Sequence, residues 1–146
     1  MASGADQNLA ERVVTQMRQQ DGFSRWMGIE VESHAPGSCT LTMTVRAEML
    51  NGFGVSHGGI VFALADSAMA FASNGYGEVA VAIDAQASYP APIKAGDRLR
   101  AVASEESATR RLGFYRVEVR NGDGIVVCLF RGTVYRTGKK FFEERA

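Results

Sequence analysis

The sequence predicts an α+β fold in which a curved antiparallel sheet wraps around one long central helix. The segment from Gly58 to Asn74 contains no breaker and is apolar on nearly every side, which is typical of a buried helix. Two strand-like segments precede it and four follow it. Short turns join the strands, among them residues 121–124 (NGDG), a strong hairpin pattern. A sheet beside such a helix has to curl in order to bury all of its faces.

The chain is expected to begin with a disordered stretch and a short helix. Residues 1–7 are small and polar. Asn8 is the predicted N-cap, because Glu11 three residues later completes a capping-box pattern, and the helix is expected to reach about Gln20. A further turn follows from Asp21. Its two aromatic residues are expected to be core or helix-packing residues and not ligand contacts: Phe23 and Trp26.

Alternation of apolar and polar residues predicts the strands. A first hairpin is expected from residues 28–34 and 39–45, and the later strands are expected near 79–89, 98–107, 113–120 and 125–135. With no internal repeat or linker, residues 8–138 form one predicted domain, followed by a charged tail over residues 139–146.

Composition limits the classes of function. The chain has 146 residues, of which 46% are hydrophobic and 22% charged, as in an ordinary globular domain. Basic and acidic residues number 16 each, and this zero net charge argues against a nucleic-acid partner. No apolar run reaches the roughly 20 residues that span a membrane, and no leader pattern is visible, so we expect a cytoplasmic protein without a membrane partner.

One carboxylate is unusual in its position. Asp66 lies in the middle of the apolar helix, where an aspartate is unfavourable for helix propensity and is costly if buried without hydrogen bonds. Ser67, Ser73 and Asn74 do not form a convincing wet face with it. From the residues alone, Asp66 is either a functional carboxylate or part of a solvated stripe.

The start of the same helix is a second candidate. His57, Gly58 and Gly59 open it, and glycines there leave the first N–H groups approachable. Those donors and the positive end of the helix dipole suit an oxyanion or a polarised carbonyl. The other interpretation is a plain loop-to-helix junction with His57 near the N-cap.

The spacing of these two candidates suggests a dimer. Gly58 and Asp66 are eight residues apart, which is about 12 Å along a helix axis. One scissile carbonyl does not easily meet both within a single chain. Two antiparallel copies of the helix around a twofold axis would bring Gly58 of one chain near Asp66 of the other. If both residues act, the site is composite.

Other candidates carry weaker patterns. Arg110 and Arg111 lie at a predicted turn and either contact a phosphate or form a solvated charged turn. Cys39 and Cys128 lie among apolar neighbours in predicted strands, so buried free thiols are expected. The chain has two histidines and no cluster of metal ligands, and no metal site is expected.

Together these residues resemble a known family. The stretch from Asn51 to Gly77 (NGFGVSHGGIVFALADSAMAFASNGYG) resembles the active-site segment of PaaI-type hotdog thioesterases, and the resemblance continues through Ser88–Leu99 and Arg110–Gly138. It implies a hotdog fold, a dimer with a continuous sheet, and dimers that commonly pair into tetramers. It also implies an acyl-CoA thioesterase without a cofactor, since CoA is part of the substrate.

The resemblance assigns roles to matching positions. Asp66 would activate water as a general base or attack the thioester carbonyl itself, and the Gly58 N–H would polarise that carbonyl. His57 would help position the loop and the thioester, and Asn51 would help place the water or the carboxylate. Candidate contacts to the acyl-CoA are Gly59, Tyr89, Arg110 and Arg111.

The resemblance leaves some points open. Some relatives use a Ser or Thr on the strand after the helix to hold the water, whereas this chain has Ala there and only Ser88 as a distant candidate. The expected acyl group is arylacetyl, such as phenylacetyl or hydroxyphenylacetyl. Two alternatives are a hydratase or dehydratase of acyl thioesters, and a non-catalytic acyl-CoA sensor.

Overall fold

The structure, a computed structural model, describes residues 3–143. Its helices and strands follow the predicted order, with a 3₁₀ turn at Ala47–Met49: α1 (Gly4–Gln20), α2 (Gly22–Met27), β1 (Glu30–Ala35), β2 (Ser38–Thr44), α3 (Gly58–Asn74), β3 (Glu78–Ser88), β4 (Arg98–Ala108), β5 (Leu112–Arg120) and β6 (Val126–Lys140). None of the helices in this range is long and apolar enough to cross a membrane.

The six strands form one antiparallel sheet in the order β1-β2-β4-β5-β6-β3. α3 packs against every strand of it, which is the hotdog arrangement that the resemblance implies. At Gly132 of β6 a Cβ atom would collide with the sulfur of buried Met69. This glycine therefore lets the helix and the sheet approach closely.

The sheet leaves one stripe of α3 uncovered. Most of the helix is buried, but a set of residues repeats every three or four positions without being fully buried: Gly59, Phe62, Ala63, Asp66, Ser67 and Ala70. In this stripe Phe62 packs edge-to-face against Phe130 of β6, with ring centroids 5.3 Å apart. Since β6 neighbours the edge strand β3, the stripe borders the open side of the fold.

The edge strand β3 is itself exposed. It has 11 residues, pairs only with β6, and presents Val81 and Ile83 to solvent. A long edge strand with exposed apolar residues has free backbone groups that can pair with another strand.

Both ends of the chain differ from the prediction. α1 begins at Gly4, because Ser3 and Asp6 form a capping box that satisfies the first N–H groups. The predicted cap at Asn8 is wrong, as is the disorder expected over residues 3–7. At the other end β6 continues to Lys140, past the predicted domain boundary. Residues 1–2 and 144–146 lie outside the described residues.

The aromatic residues of α2 do not enter the core. Phe23 and Trp26 are 54% and 49% exposed and stack on each other with centroids 6.1 Å apart. The guanidinium of Arg46 lies 5.0 Å from the ring of Trp26 and donates to its carbonyl oxygen at 2.7 Å. The expectation that these rings lie in the core is therefore wrong, whereas their mutual stacking agrees with the alternative of helix-packing residues.

A buried asparagine joins α3 to the edge strand. Asn74 Nδ2 donates to the carbonyl oxygens of Ala70, at 2.8 Å, and Ala80, at 3.1 Å, and its Oδ1 accepts from the Ala80 N–H at 2.9 Å. These bonds connect the last turn of the helix to the start of β3.

We expect Asn74→Ala to lower the free energy of unfolding by about 1–3 kcal/mol, because it leaves buried backbone groups of Ala80 without a partner. Ser73→Ala is the matched control, since Ser73 is also buried but bonds only to Ala70 of its own helix. Urea denaturation of both variants measures the difference. Equal losses for the two would show that Asn74 does not hold β3.

Candidate active site

The Asp66 side chain is partly buried, and its carboxyl oxygens have no hydrogen-bond partner among residues 3–143. It lies on the uncovered stripe of α3, one helical turn from Phe62 and from Ala70. Within residues 3–143 its carboxyl accepts no hydrogen bond, and burial raises its pKa above the ordinary value for aspartate. A carboxylate that is more basic than usual and not engaged by neighbours is suited to act as a base or a nucleophile.

The start of α3 leaves one N–H group free. His57 is the N-cap, and its Nδ1 accepts from the Gly59 N–H at 2.9 Å, which places the proton of the neutral ring on the exposed Nε2. The His57 carbonyl oxygen accepts from the Ile60 N–H at 3.0 Å. Among the described residues the Gly58 N–H has no acceptor. This N–H, at the positive end of the helix dipole, is therefore available to an outside acceptor.

Contacts within one chain favour glycine at position 59 but not at position 58. A Cβ at Gly59 would lie 3.0 Å from His57 Nδ1, so the cap itself favours glycine there. A Cβ at Gly58 would meet only the ring of Tyr89, at 3.5 Å, an ordinary contact, and the φ angle of Gly58 is not positive. The fold of one chain thus explains Gly59 but not Gly58. Between Gly58 and the Tyr89 ring there is room for about one methyl group.

Asn51 shapes the loop that leads into α3. Its Oδ1 accepts from the N–H groups of Phe53, at 2.9 Å, and Val55, at 3.4 Å, and its own N–H donates to the Val55 carbonyl oxygen at 2.7 Å. The His57 N–H donates to the Met49 carbonyl oxygen at 2.8 Å. The loop is therefore well held, and the side-chain amide of Asn51 donates to no residue in the described part of the chain.

Within one chain these groups do not meet. Gly58 and Asp66 are two turns of α3 apart, about 12 Å along its axis. Ser88 pairs with exposed Leu129, next to inward-facing Phe130, so it faces away from Asp66. The water-holding role considered for Ser88 is therefore wrong for its own chain.

The arginine pair lies at the far end of the helix. The Arg111 guanidinium donates to the Tyr135 hydroxyl at 2.9 Å. In the same turn the Thr109 carbonyl oxygen accepts a hydrogen bond from the Arg136 guanidinium at 3.4 Å. That guanidinium also lies over the ring of Tyr76, which follows α3. Arg110 and Arg111 thus lie near the C-terminal end of the helix that begins at Gly58. One chain does not place them beside Gly58.

Glu105, to which no sequence pattern assigned a role, lies in a polar cluster in the structure. Its carboxylate accepts from the hydroxyls of buried Tyr115, at 2.6 Å, and Tyr76, at 3.2 Å, and from Arg136 at 3.4 Å. Burial raises the pKa of the Tyr115 hydroxyl far above its ordinary value. The cluster joins three strands to the segment after α3, so its role is structural.

Comparison with known proteins identifies the family of this chain. The family model of the thioesterase superfamily matches residues 53–128, which include the loop, α3 and four strands or parts of them. The fold and site define a hotdog-fold thioesterase, and the chain belongs to the thioesterase superfamily.

Its relatives place it among the PaaI-type members. The acyl-coenzyme A thioesterase PaaI of Escherichia coli (strain K12) is 39% identical over 122 residues, 84% of this chain and 87% of that protein. The structure of E. coli PaaI matches with a TM-score of 0.89, over 92% of this chain and 97% of that one. A mutant of the phenylacetic acid degradation protein PaaI from Thermus thermophilus is 45% identical, with a TM-score of 0.77, over 80% and 99%. The predicted family and fold are confirmed.

A more distant structure contains coenzyme A. A hypothetical thioesterase from Streptococcus pneumoniae, solved with coenzyme A, is 26% identical over 77% of this chain and 88% of that one, with a TM-score of 0.74.

The electrostatics of Asp66 give a test of stability. Because burial raises its pKa in the folded state, the ionised carboxyl destabilises the fold at neutral pH, and this penalty disappears as pH falls below about 4, where the group is protonated in both states. We expect Asp66→Asn to raise the Tm at pH 7, with a gain that shrinks as the pH is lowered. Differential scanning calorimetry measures both.

Asp123→Asn, in the exposed β5–β6 turn, is the control and should show little pH-dependent gain. A lower Tm for Asp66→Asn at every pH would contradict the interpretation of Asp66 as a carboxylate kept at the expense of stability.

Proposed function

We propose that this protein hydrolyses acyl-CoA thioesters at sites shared between two subunits, each built from Asp66 of one subunit and the loop and helix start of the other. The observation that carries the proposal is the pair of unused groups on α3. A raised-pKa carboxylate at Asp66 and a free N–H at Gly58 both suit acyl transfer, but they are two turns apart in one chain. The activity named for the E. coli relative supports the chemistry.

A twofold axis between the uncovered stripes of α3 would bring the two groups together. The small residues Ala63, Ser67 and Ala70 allow two antiparallel helices to approach closely. The same operation sets two β3 edges side by side, which would cover Val81 and Ile83 and extend the sheet. We propose such dimers, and their pairing into tetramers, as the working assembly.

In the proposed reaction the thioester carbonyl oxygen accepts from the Gly58 N–H of one subunit, beside the Nε2–H of His57. Asp66 of the other subunit takes a proton from water as the oxygen of that water attacks the carbonyl carbon. The carbon–sulfur bond then breaks, and the CoA thiolate leaves and takes up the proton that Asp66 received from water. Alternatively the Asp66 carboxylate attacks first, forming an anhydride that water hydrolyses. Both routes yield the free acid and CoA without a further cofactor.

Nearby side chains supply the remaining contacts. The free side-chain amide of Asn51 is proposed to hold the water or the Asp66 carboxylate. Tyr89 and Gly59 flank the thioester at the helix start. In antiparallel helices the C-terminal end of one α3 lies beyond the N-terminal end of the other, so Arg110 and Arg111 of the Asp66 subunit would approach the CoA phosphates there.

We propose an arylacetyl group, such as phenylacetyl, as the acyl part. The phenylacetic acid degradation named for the T. thermophilus relative supports it. So does the aromatic pair of Phe62 and Phe130, which lies one turn from Asp66.

The first test follows free thiol release from a panel of acyl-CoAs. Wild type should hydrolyse them, arylacetyl-CoA fastest, and Asp66→Asn should lose at least about a hundredfold in kcat, because the base or nucleophile is gone. Asp123→Asn should retain full activity. Tight binding of acyl-CoA without thiol release would instead indicate a sensor, and hydration of an enoyl thioester would indicate a hydratase.

The second test asks whether the site is shared. Gly58→Ala should fold normally, since its methyl group meets only the Tyr89 ring, but should lose at least about tenfold in activity because the methyl group occupies the approach to the N–H. Mixing Gly58→Ala with Asp66→Asn subunits should restore about a quarter of wild-type activity, because half of the dimers are mixed and each carries one intact site.

If both residues act within one chain, no mixed dimer contains an intact site, and the mixture would be no more active than the average of its parents. That result would overturn the shared site while leaving thioester hydrolysis itself in place.

A further inference from the structure

The loop before α3 presents an aromatic ring to solvent. Phe53 is 94% exposed, more than any other large apolar side chain in the described residues. Burial of such a ring stabilises a protein by roughly 1.5–3 kcal/mol, a gain that this position forgoes in the single chain. The loop is not loose, because the Phe53 N–H donates to Asn51 Oδ1 at 2.9 Å and an isolated bridge joins Leu50 to Ser56. An ordered turn therefore holds the ring outward.

The position of the loop in the chain says what would cover the ring. Phe53 lies four residues before His57 and five before Gly58, so the loop and the helix start form one unit. In the shared site proposed above, on which this inference rests, that unit lies against the uncovered stripe of the other subunit at Asp66. The loop that precedes Gly58 then lies over the half of that stripe that follows Asp66, where Ser67 and Ala70 are small.

The stripe is unequal on the two sides of Asp66. Toward the start of the helix Phe62 and Phe130 form an aromatic wall. Toward its end the small side chains of Ser67 and Ala70 leave room and form no wall. An acyl group at Asp66 is thus enclosed by its own subunit on one side only.

We propose that Phe53 of one subunit closes the acyl site built on Asp66 of the other and selects flat apolar acyl groups. An aromatic acyl ring would lie between Phe53 on one side and the Phe62–Phe130 pair on the other, in the offset or edge-to-face contacts that aromatic rings prefer. Phe53 is a specificity residue in this proposal, and neither the base nor the oxyanion donor depends on it.

The test compares kcat/KM for phenylacetyl-CoA and acetyl-CoA. Phe53→Ala should lower the value for phenylacetyl-CoA at least about tenfold and change that for acetyl-CoA less than about twofold, since acetyl does not reach the ring. Phe53→Leu should recover part of the loss. Phe23→Ala removes another exposed ring, on α2, and should leave both values unchanged.

Two results would overturn the proposal. One is an equal fall, or no fall, for both substrates. The other is dissociation of Phe53→Ala into monomers in sedimentation velocity, which would make the ring an assembly contact. If wild type hydrolyses no acyl-CoA at all, the proposed function fails first, and that result is distinct from hydrolysis without a Phe53 effect.

Mixed dimers test which subunit supplies the ring. A dimer of one Phe53→Ala and one Asp66→Asn subunit, purified through two different tags, has one active Asp66, carried by the subunit without the ring. If Phe53 acts across the interface, this dimer should show the wild-type ratio of phenylacetyl-CoA to acetyl-CoA hydrolysis. A ratio equal to that of Phe53→Ala would place the ring beside the Asp66 of its own chain and overturn the proposal.

Discussion

A helix that is apolar on nearly every side can be stable in water only if its surroundings cover it, and α3 is such a helix. Six strands curl around it, and glycine at position 132 brings the sheet close enough for Met69 to pack. This six-stranded sheet is open and does not close around the helix, so a stripe of α3 stays uncovered beside the edge strand β3. The exposed edge and the open stripe are two consequences of the same incomplete cover.

The proposed chemistry depends on the same incomplete cover of α3. Asp66 lies on the open stripe, where apolar neighbours raise the pKa of its carboxyl and no described residue binds its oxygens. Complete burial would favour the protonated acid, and full exposure would give an ordinary surface carboxylate. At the helix start the Gly58 N–H is free because the His57 ring caps its neighbour instead. In the proposed reaction one helix would provide a base and an oxyanion donor, at a spacing that a second helix would bridge.

Most of the fold was predictable because strong periodicity determined it. The apolar run of α3 and the alternation of the strands give the order of elements and the hairpins, since hydrophobic periodicity mirrors burial. The position of the α1 N-cap was not predictable, because Ser3 with Asp6 and Asn8 with Glu11 are equivalent capping-box patterns. Glu105 was missed because a charged residue is expected at the surface, although it continues the inward-facing alternation of Ala101 and Ala103 in β4. Its partner across the sheet is the buried Tyr115. The exposure of Trp26 was also unpredictable, since composition does not tell a core aromatic from a surface one.

For the site, the sequence named Asp66, Gly58, His57 and Asn51 by motif, but it could not separate residues that serve the fold from residues that serve a ligand. The structure makes that separation for the two glycines, because the His57 cap favours glycine at position 59, whereas no described residue crowds a side chain at position 58. The same question can be asked of Asp66, of the β3 edge and of Phe53: each is unfavourable or unexplained in a single chain, and all adjoin the open stripe or the start of α3. A single twofold operation that covers the stripe would account for Gly58, Asp66, the β3 edge and Phe53. This economy is the strongest physical argument that the functional unit contains two copies of the chain.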